Sequence, residues 1–399
     1  MEGLKIINEE VVDMEIVNKE RVVNLLRCLV QINTVNPPGN EKELASLLDV
    51  FVKDFGLETK IIESLENRST IVIYLRGKNK NAKKLYFSGH LDTVPIGEDE
   101  WDYDPFEARV ENGLIYGRGT CDMKGGVAAL IEAMLILKES GTVLEHDIIF
   151  LGTAGEEVDC LGARTLMDNG VIENPGAIVI AEPTSLEVFI GHKGVLWLEI
   201  STFGKTAHGS MPKQGINAIS NMLKILEELN NLAFPLKDKL LGSTTMSVNR
   251  IDGGVATNVI PDKCTVAVDI RTVTAETNEL VIKSIEEVIR KLKSNDPSFV
   301  ASISVLQNLR PLLNDSEDKF IQYAQKLNKD LNSKEIENIG VNYYTDASIF
   351  GKSLDCPIII YGAGDEKLAH QPNENIEIES LIKSINYYVN LAKNFQDIY

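Results

Sequence analysis

LYFSGHLDTVP, residues 85–95, decides how the rest of the chain is read. An apolar run suited to a buried strand meets Ser88-Gly89, and His90 and Asp92 follow where the strand should stop. In open α/β sheets, reactive groups collect beyond the carboxyl ends of strands. The same construction returns in DIIFLGTAGEE (147–157), which ends in Glu156-Glu157, in AIVIAEPT (177–184), which ends in Glu182, and in PIIIYGAGDEKLAHQP (357–372), which carries His370. GRGTCDMKGG (117–126) places Asp122 just before an apolar helix that starts near Lys124. Strand ends and a helix start converging on imidazoles and carboxylates read as a metal site.

The chain has 399 residues, enough for two domains with separate cores. A formal charge of −19, from 40 Lys+Arg against 59 Asp+Glu, disfavours nucleic acid and anionic membranes as partners. The first sixteen residues, with the Glu9-Glu10 pair read as a solvated face, carry acids where a signal peptide would be basic. No apolar run reaches the ~18 residues of a spanning helix, so the expected location is cytoplasmic. Five scattered cysteines without a C-x-x-C pair point to reduced packing residues.

Taken in order, 20–31 has helical apolar spacing, NTVNPPGN (33–40) breaks it, and Asn40 with Glu43 suggests a capping box for a second helix. KGGVAALIEAMLILKES (124–140) is apolar over most of its circumference and reads as a buried helix between strands of a parallel layer. The texture changes near residue 190. GVLWLEISTFG (194–204), TTMSVNRIDGG (244–254), KCTVAVDIRTV (263–273) and ASISVLQNL (301–309) read as strands, with helices at 215–231 and 277–293. Since His90 and His370 come from opposite ends of the chain, both ends must build one domain, and the middle is an inserted α+β lid. The expected domains are residues 1–190 and 307–399 for the catalytic part and 191–306 for the lid.

His90, Asp122, Glu157, Glu182 and His370 suit two divalent ions sharing one carboxylate. Asp122 is the choice for the shared ligand because it stands alone between the other ligand sets. On a strand, i and i+2 share a face, so the Asp92 carboxylate is expected to take the spare N–H of the His90 ring. Glu156 and Glu157 diverge as neighbours, so Glu157 is assigned to metal and Glu156 to general base. His146 reads as a surface or packing residue and His192 as a structural one, and Cys121 would be a soft ligand among hard oxygens. No G-x-x-x-x-G-K-[ST] loop occurs.

SGHLDTVP (88–95), GRGTCDMKGG, TAGEE (153–157), IAEPT (180–184), GKTAHGSMP (204–212) and AHQPNE (369–374) together resemble the acetylornithine deacetylase, succinyl-diaminopimelate desuccinylase and carboxypeptidase G family of two-metal peptidases. The resemblance runs from about Ile32 to the last helix. It implies an α/β fold: a zinc-peptidase-like catalytic domain, with a mixed, largely parallel sheet flanked by helices, and an inserted α+β lid and dimerisation domain. It implies a homodimeric metallohydrolase that cleaves an amide next to a carboxylate, using two ions, zinc by preference with cobalt or manganese able to serve. Carried over by motif, His208 would stabilise the oxyanion in the partner subunit's site, while Asn258, Arg271 and Gly364 would contact substrate. A non-proline cis peptide at Asp122-Met123 is also implied. NYYTDASIF (342–350) lacks the glycine-rich stretch associated with desuccinylases, which favours an N-acyl-amino-acid deacylase over a carboxypeptidase or dipeptidase. A non-catalytic amino-acid binder would not need Glu156 and all five ligands. A two-metal phosphoesterase would want more Lys or Arg around the site.

Overall fold

The structure, a computed structural model, describes residues 17–274 and 277–398. The expectations made for residues 1–16, Glu9-Glu10 included, lie outside them. The chain divides into two compact units, the first running to Ile190 and including Asn314–Ile339 and Ile349 onwards, the second comprising Gly191–Leu313 and Gly340–Ser348.

In the first unit the sheet runs in the spatial order Glu58–Leu65, Arg68–Leu75, Ile148–Thr153, Lys84–His90, Pro175–Ile180, Ile358–Ile360. Ile148–Thr153, Lys84–His90, Pro175–Ile180 and Ile358–Ile360 are mutually parallel neighbours. The first two strands form an antiparallel hairpin that pairs antiparallel with Ile148–Thr153, so the sheet is mixed, with its parallel part at the centre. Parallel strands are covered on both faces and read as unbroken apolar runs, and Ile148–Thr153 is buried throughout.

Helix Gly125–Glu139 is buried from Gly125 to Leu137, as its all-round apolar sequence requires. It packs on the sheet and against helices Lys19–Gln31 and Ile378–Asn394. The one charge in that stretch, Glu132, is held by Arg21 through two bonds, Nε to Oε2 at 2.7 Å and Nη2 to Oε1 at 2.8 Å. A forked guanidinium meeting both carboxylate oxygens is what makes such a buried charge tolerable. Gly126 is required by close approach, since a Cβ there would lie 2.1 Å from the carbonyl oxygen of Ala181, the residue before Glu182. At the second helix, Glu41–Lys53, Asn40 Nδ2 meets Glu43 Oε2 at 2.6 Å and the Asn40 side chain caps no backbone N–H, so the reciprocal capping box is not made.

The polar loop after His90 contains two short strands, Arg109–Glu111 and Leu114–Tyr116. Leu114–Tyr116 also pairs with Asn375–Glu377, which brings the segment after His370 beside the segment before Asp122.

The second unit is a four-stranded antiparallel sheet in the order Thr245–Gly253, Lys263–Thr272, Gly194–Phe203, Val300–Leu309. Lys263–Thr272 buries every second residue, so Cys264, Val266, Val268 and Ile270 face one side. There they pack with Met222, Ile225 and Leu229 of helix Ala218–Asn230 and Val281 and Ile285 of helix Asn278–Asn295. The unit ends later than residue 306, because Val300–Leu309 remains paired past a bulge at Leu306 to its last residue and Leu312 then pairs with His192. Gly340–Ser348, assigned from sequence to the first unit, belongs to the second. Among the described residues no helix is long and apolar enough to cross a membrane.

Candidate active site and metal centre

The parallel registers align His90 with Thr153 and Ser88 with Ile180, so three strand ends deliver His90, the 154–157 loop and Glu182 to the same edge. Asp122 arrives from the turn Thr120–Lys124, where Asp122 (φ −123°, ψ 97°) and Met123 (φ −132°, ψ 30°) leave helical geometry before the helix begins at Gly125. The Asp122-Met123 peptide is cis, as the resemblance implied. His370 follows strand Ile358–Ile360 on a loop in which it adopts φ 64° and Asn373 φ 59°.

The five sequence-derived ligands meet. The two Asp122 oxygens face different imidazoles, Oδ1 lying 3.0 Å from His90 Nε2 and Oδ2 3.3 Å from His370 Nε2. Glu182 Oε1 lies 3.7 Å from His90 Nε2, and Glu157 Oε2 lies 3.2 Å from His370 Nε2. Two triads result, His90-Asp122-Glu182 and Asp122-Glu157-His370, each with one donor atom per residue within 4.8 Å of the others. Both offer imidazole nitrogen and carboxylate oxygen, the donor set of zinc and its neighbours. Glu157 Oε1 is buried without a hydrogen-bond partner, an acceptor with a place for a cation to fill. The residues therefore fit a pair of divalent ions.

Electrostatics in the metal-free protein agree. Burial opposes ionisation of Asp122, yet hydrogen bonds from His370 and His90 hold its carboxyl well below the usual carboxylate range. Hydrogen bonds to Asp122 and Glu157 push His370 up to about 10. His90 is raised against its own burial, chiefly by the charge of Glu182, whose own ionisation burial opposes. Burial, reinforced by Asp122, also raises Glu157.

Asp92 sits beside His90 but acts differently from the sequence expectation. His90 Nδ1 hydrogen-bonds the Asp92 backbone carbonyl at 2.9 Å, while the nearest carboxylate oxygen is 3.6 Å away. The strand ends at His90, so the i, i+2 relation of a continuing strand does not apply. The Asp92 carboxylate instead accepts the backbone N–H groups of Gly155 (3.0 Å), Glu156 (3.1 Å) and Glu157 (3.3 Å), and the Asn36 side-chain amide (2.9 Å). It thereby fixes the loop that carries Glu156, which is 5% exposed, and Glu157.

Other buried polar groups frame the site and were not singled out in the sequence. Glu374 is fully buried against Arg118, and its Oε1 accepts the backbone N–H groups of Gly119, Cys121 and Asp122. Lys124, whose ammonium burial lowers to about 7, donates to the carbonyls of Leu29 and Ile32 at the end of the first helix. Both lie in quoted motifs, GRGTCDMKGG and AHQPNE, but an isolated Arg, Lys or Glu carries no sign of burial. The Cys121 thiol donates to the Asp365 carbonyl and burial raises its pKa, so it behaves as a packing residue. A Cβ at Gly364 would lie 2.6 Å from Cys121 Sγ and 2.9 Å from Pro183 Cβ, so packing beside the ligand loops already demands glycine there.

His208, Asn258 and Arg271 belong to the second unit. His208 and Asn258 are exposed and adjacent, with Gly209 N–H donating to the Asn258 carbonyl at 2.7 Å. Arg271 forms a fork with Asp269, Nε to Oδ1 at 2.9 Å and Nη2 to Oδ2 at 3.1 Å. His146 and His192 are buried packing residues, and all five cysteines are free thiols.

Comparison with known proteins gives consistent matches. The chain is 28% identical to a probable succinyl-diaminopimelate desuccinylase of Staphylococcus epidermidis, covering 96% of this chain and 99% of that one. It is 29% identical to an acetylornithine deacetylase of Buchnera aphidicola, covering 94% and 97%. Its fold matches a metallo-carboxypeptidase of Sulfolobus solfataricus with a TM-score of 0.80 at 19% identity, over 94% of this chain and 99% of that one. Residues 86–394 match the model of peptidase family M20/M25/M40. This protein is thus a hydrolase that belongs to peptidase family M20/M25/M40.

Proposed function

We propose that the chain hydrolyses the amide bond of N-acyl amino acids, with acetyl or succinyl groups on a diamino or related amino acid as the substrate class. The observation that carries this reading is the pair of triads sharing Asp122. His90, Asp122 and Glu182 would hold one divalent ion and Asp122, Glu157 and His370 the other, zinc by donor type. Bound there, the ions would lower the pKa of a water and polarise the amide carbonyl.

The protein's own groups do the rest. Asp92 holds the 155–157 loop, and the Glu156 carboxylate takes the proton of the attacking water and returns it to the leaving amine. His208 donates Nε2–H to the developing oxyanion. In support, the Ser210 N–H donates to His208 Nδ1 at 3.2 Å, which leaves Nε2 as the protonated nitrogen. Arg271, preorganised by Asp269, and Asn258 take the substrate carboxylate, and Gly364 lets the substrate backbone approach. In this reading the second unit is a lid and dimer contact, and the enzyme is a cytoplasmic homodimer.

The test is hydrolysis of N-acetyl amino acids, N-succinyl amino acids and dipeptides by metal-reconstituted protein beside a metal-free control. Metal-dependent release of acetate or succinate is expected. Turnover of dipeptides alone would establish the rival reading, a carboxypeptidase or dipeptidase, which the likeness to the Sulfolobus solfataricus carboxypeptidase favours. Equal turnover without metal would overturn both.

A further inference from the structure

The two triads draw on five segments of the chain, and one buried ion pair touches the Asp122 and His370 segments and the loop at Pro95 that follows His90. Glu374 is 0% and Arg118 1% exposed. Glu374 Oε1 accepts N–H groups from Gly119 (3.0 Å), Cys121 (2.8 Å) and Asp122 (3.0 Å), while Oε2 receives Arg118 Nη1 at 2.5 Å. The Glu374 carbonyl accepts the Gly117 N–H at 2.9 Å, continuing the pairing of Asn375–Glu377 with Leu114–Tyr116. Arg118 Nη2 reaches the carbonyls of Pro95 (3.2 Å) and His370 (3.5 Å), Nη1 that of Gln371 (3.4 Å), and its guanidinium carbon lies 5.1 Å from the centre of the Trp101 ring.

This arrangement answers a mechanical need. The Asp122 turn points several N–H groups to one side, and a single anion gathers them and sets the direction of the Asp122 side chain. The His370 loop adopts left-handed backbone angles at two non-glycine residues, which persists only where surroundings hold it. The fork of Arg118 supplies such a hold through the carbonyls of His370 and Gln371.

We propose that Arg118 and Glu374 are a positioning pair for metal binding. Glu374 acts through Asp122 on both ions, and Arg118 acts through the His370 loop on the ion of the Asp122-Glu157-His370 triad. The inference rests on the two-ion reading above. It separates two roles that a purely structural ion pair would not separate.

The test is titration of metal-free protein with zinc against a chromophoric chelator, with calorimetry to resolve the two ions and metal content by mass spectrometry. Glu374→Gln keeps the shape but loses the anion, and both dissociation constants are expected to rise, by about 10–100-fold. Arg118→Lys keeps the charge but loses the fork, and the second ion alone is expected to weaken by at least about 10-fold. The Arg118→Lys result stands by itself if Glu374→Gln does not fold. Wild-type constants for both ions in Arg118→Lys would overturn the proposal, as would equal weakening of both in step with a lowered melting temperature of the metal-free protein. If wild type takes up no divalent ion, the proposed function fails first; if it binds two and the variants lose neither, only this inference fails.

Discussion

Asp92→Asn separates two ways in which an aspartate next to a ligand histidine can matter. Four donors converge on its carboxylate: the N–H groups of Gly155, Glu156 and Glu157, and the Asn36 amide. An asparagine can place its carbonyl oxygen where Oδ1 lies and keep Gly155 and Glu156. Its own NH2 group then faces Glu157 N–H and Asn36 Nδ2, two donors with nothing to accept them. Hydrogen bonds to charged groups are each worth ~1.5–3 kcal/mol, so losing two costs roughly 3 kcal/mol after water and relaxation recover part of it. At about 1.4 kcal/mol per tenfold, amide exchange at Gly155–Glu157 should accelerate on the order of 100-fold, measured by hydrogen exchange of the metal-free protein. His90 keeps its tautomer, because Nδ1 bonds a backbone carbonyl that the substitution leaves in place. Zinc titration should therefore show the ion of Asp122, Glu157 and His370 weakened about 10–100-fold and the other nearly unchanged. Loss confined to the His90-Glu182 ion, with exchange at 155–157 unaltered, would mean that the carboxylate serves the imidazole after all.

Further expectations follow from the same geometry. Glu156→Gln should retain two ions per chain, by metal analysis, while turnover falls by at least about 100-fold; retained activity would remove Glu156 from its role. Neighbouring carboxylates raise both His90 and His370 above their ordinary 6.5, and ligation needs neutral rings. Loading two ions should release about two or more protons, seen as a dependence of calorimetric heat on buffer ionisation enthalpy, and affinity should fall as pH is lowered. Burial depresses His146 and His192 to about 4, below their ordinary 6.5. The unfolded chain takes up these protons first, so their contribution is intact above 6.5 and is lost as pH falls towards 4, by up to ~3 kcal/mol each. His146→Phe, which preserves the ring against Phe395, should flatten that acid loss in denaturant midpoints measured from pH 7 to 4.

The candidate ligands were legible because His90, Glu157 and Glu182 lie at or just past the end of an apolar run that reads as a buried strand, while Asp122 stands just before a buried helix and His370 on the loop after the last strand. The membership of Asp122 in both triads was legible for a similar reason, since its motif stands between the others. What escaped was whatever depends on the path of the chain after a strand stops. The alternation rule put the Asp92 carboxylate beside the His90 ring, but the backbone turns at that point and sends it to the Glu156 loop. Arg118 with Glu374 and Lys124 with the carbonyls of Leu29 and Ile32 are pairings across the fold. Neither spacing nor periodicity encodes which distant partner a charged residue finds. The late end of the second unit escaped because ASISVLQNL marks a strand but not its partner, and the pairing with Gly194–Phe203 sets where the chain leaves.

The open place beside Pro175–Ile180, filled only by Ile358–Ile360, has a consequence for biosynthesis. A nascent chain possesses His90, Asp122 and Glu182 once residue 182 has been made, but it waits about 190 residues more for His370, roughly 10–40 s at ordinary elongation rates. Over that interval one triad is chemically whole, its neighbour lacks a nitrogen, and a parallel strand edge stands bare. Two ions held by these triads would thereby be gained in order, the His90 triad complete first and the His370 triad only once residue 370 has been made.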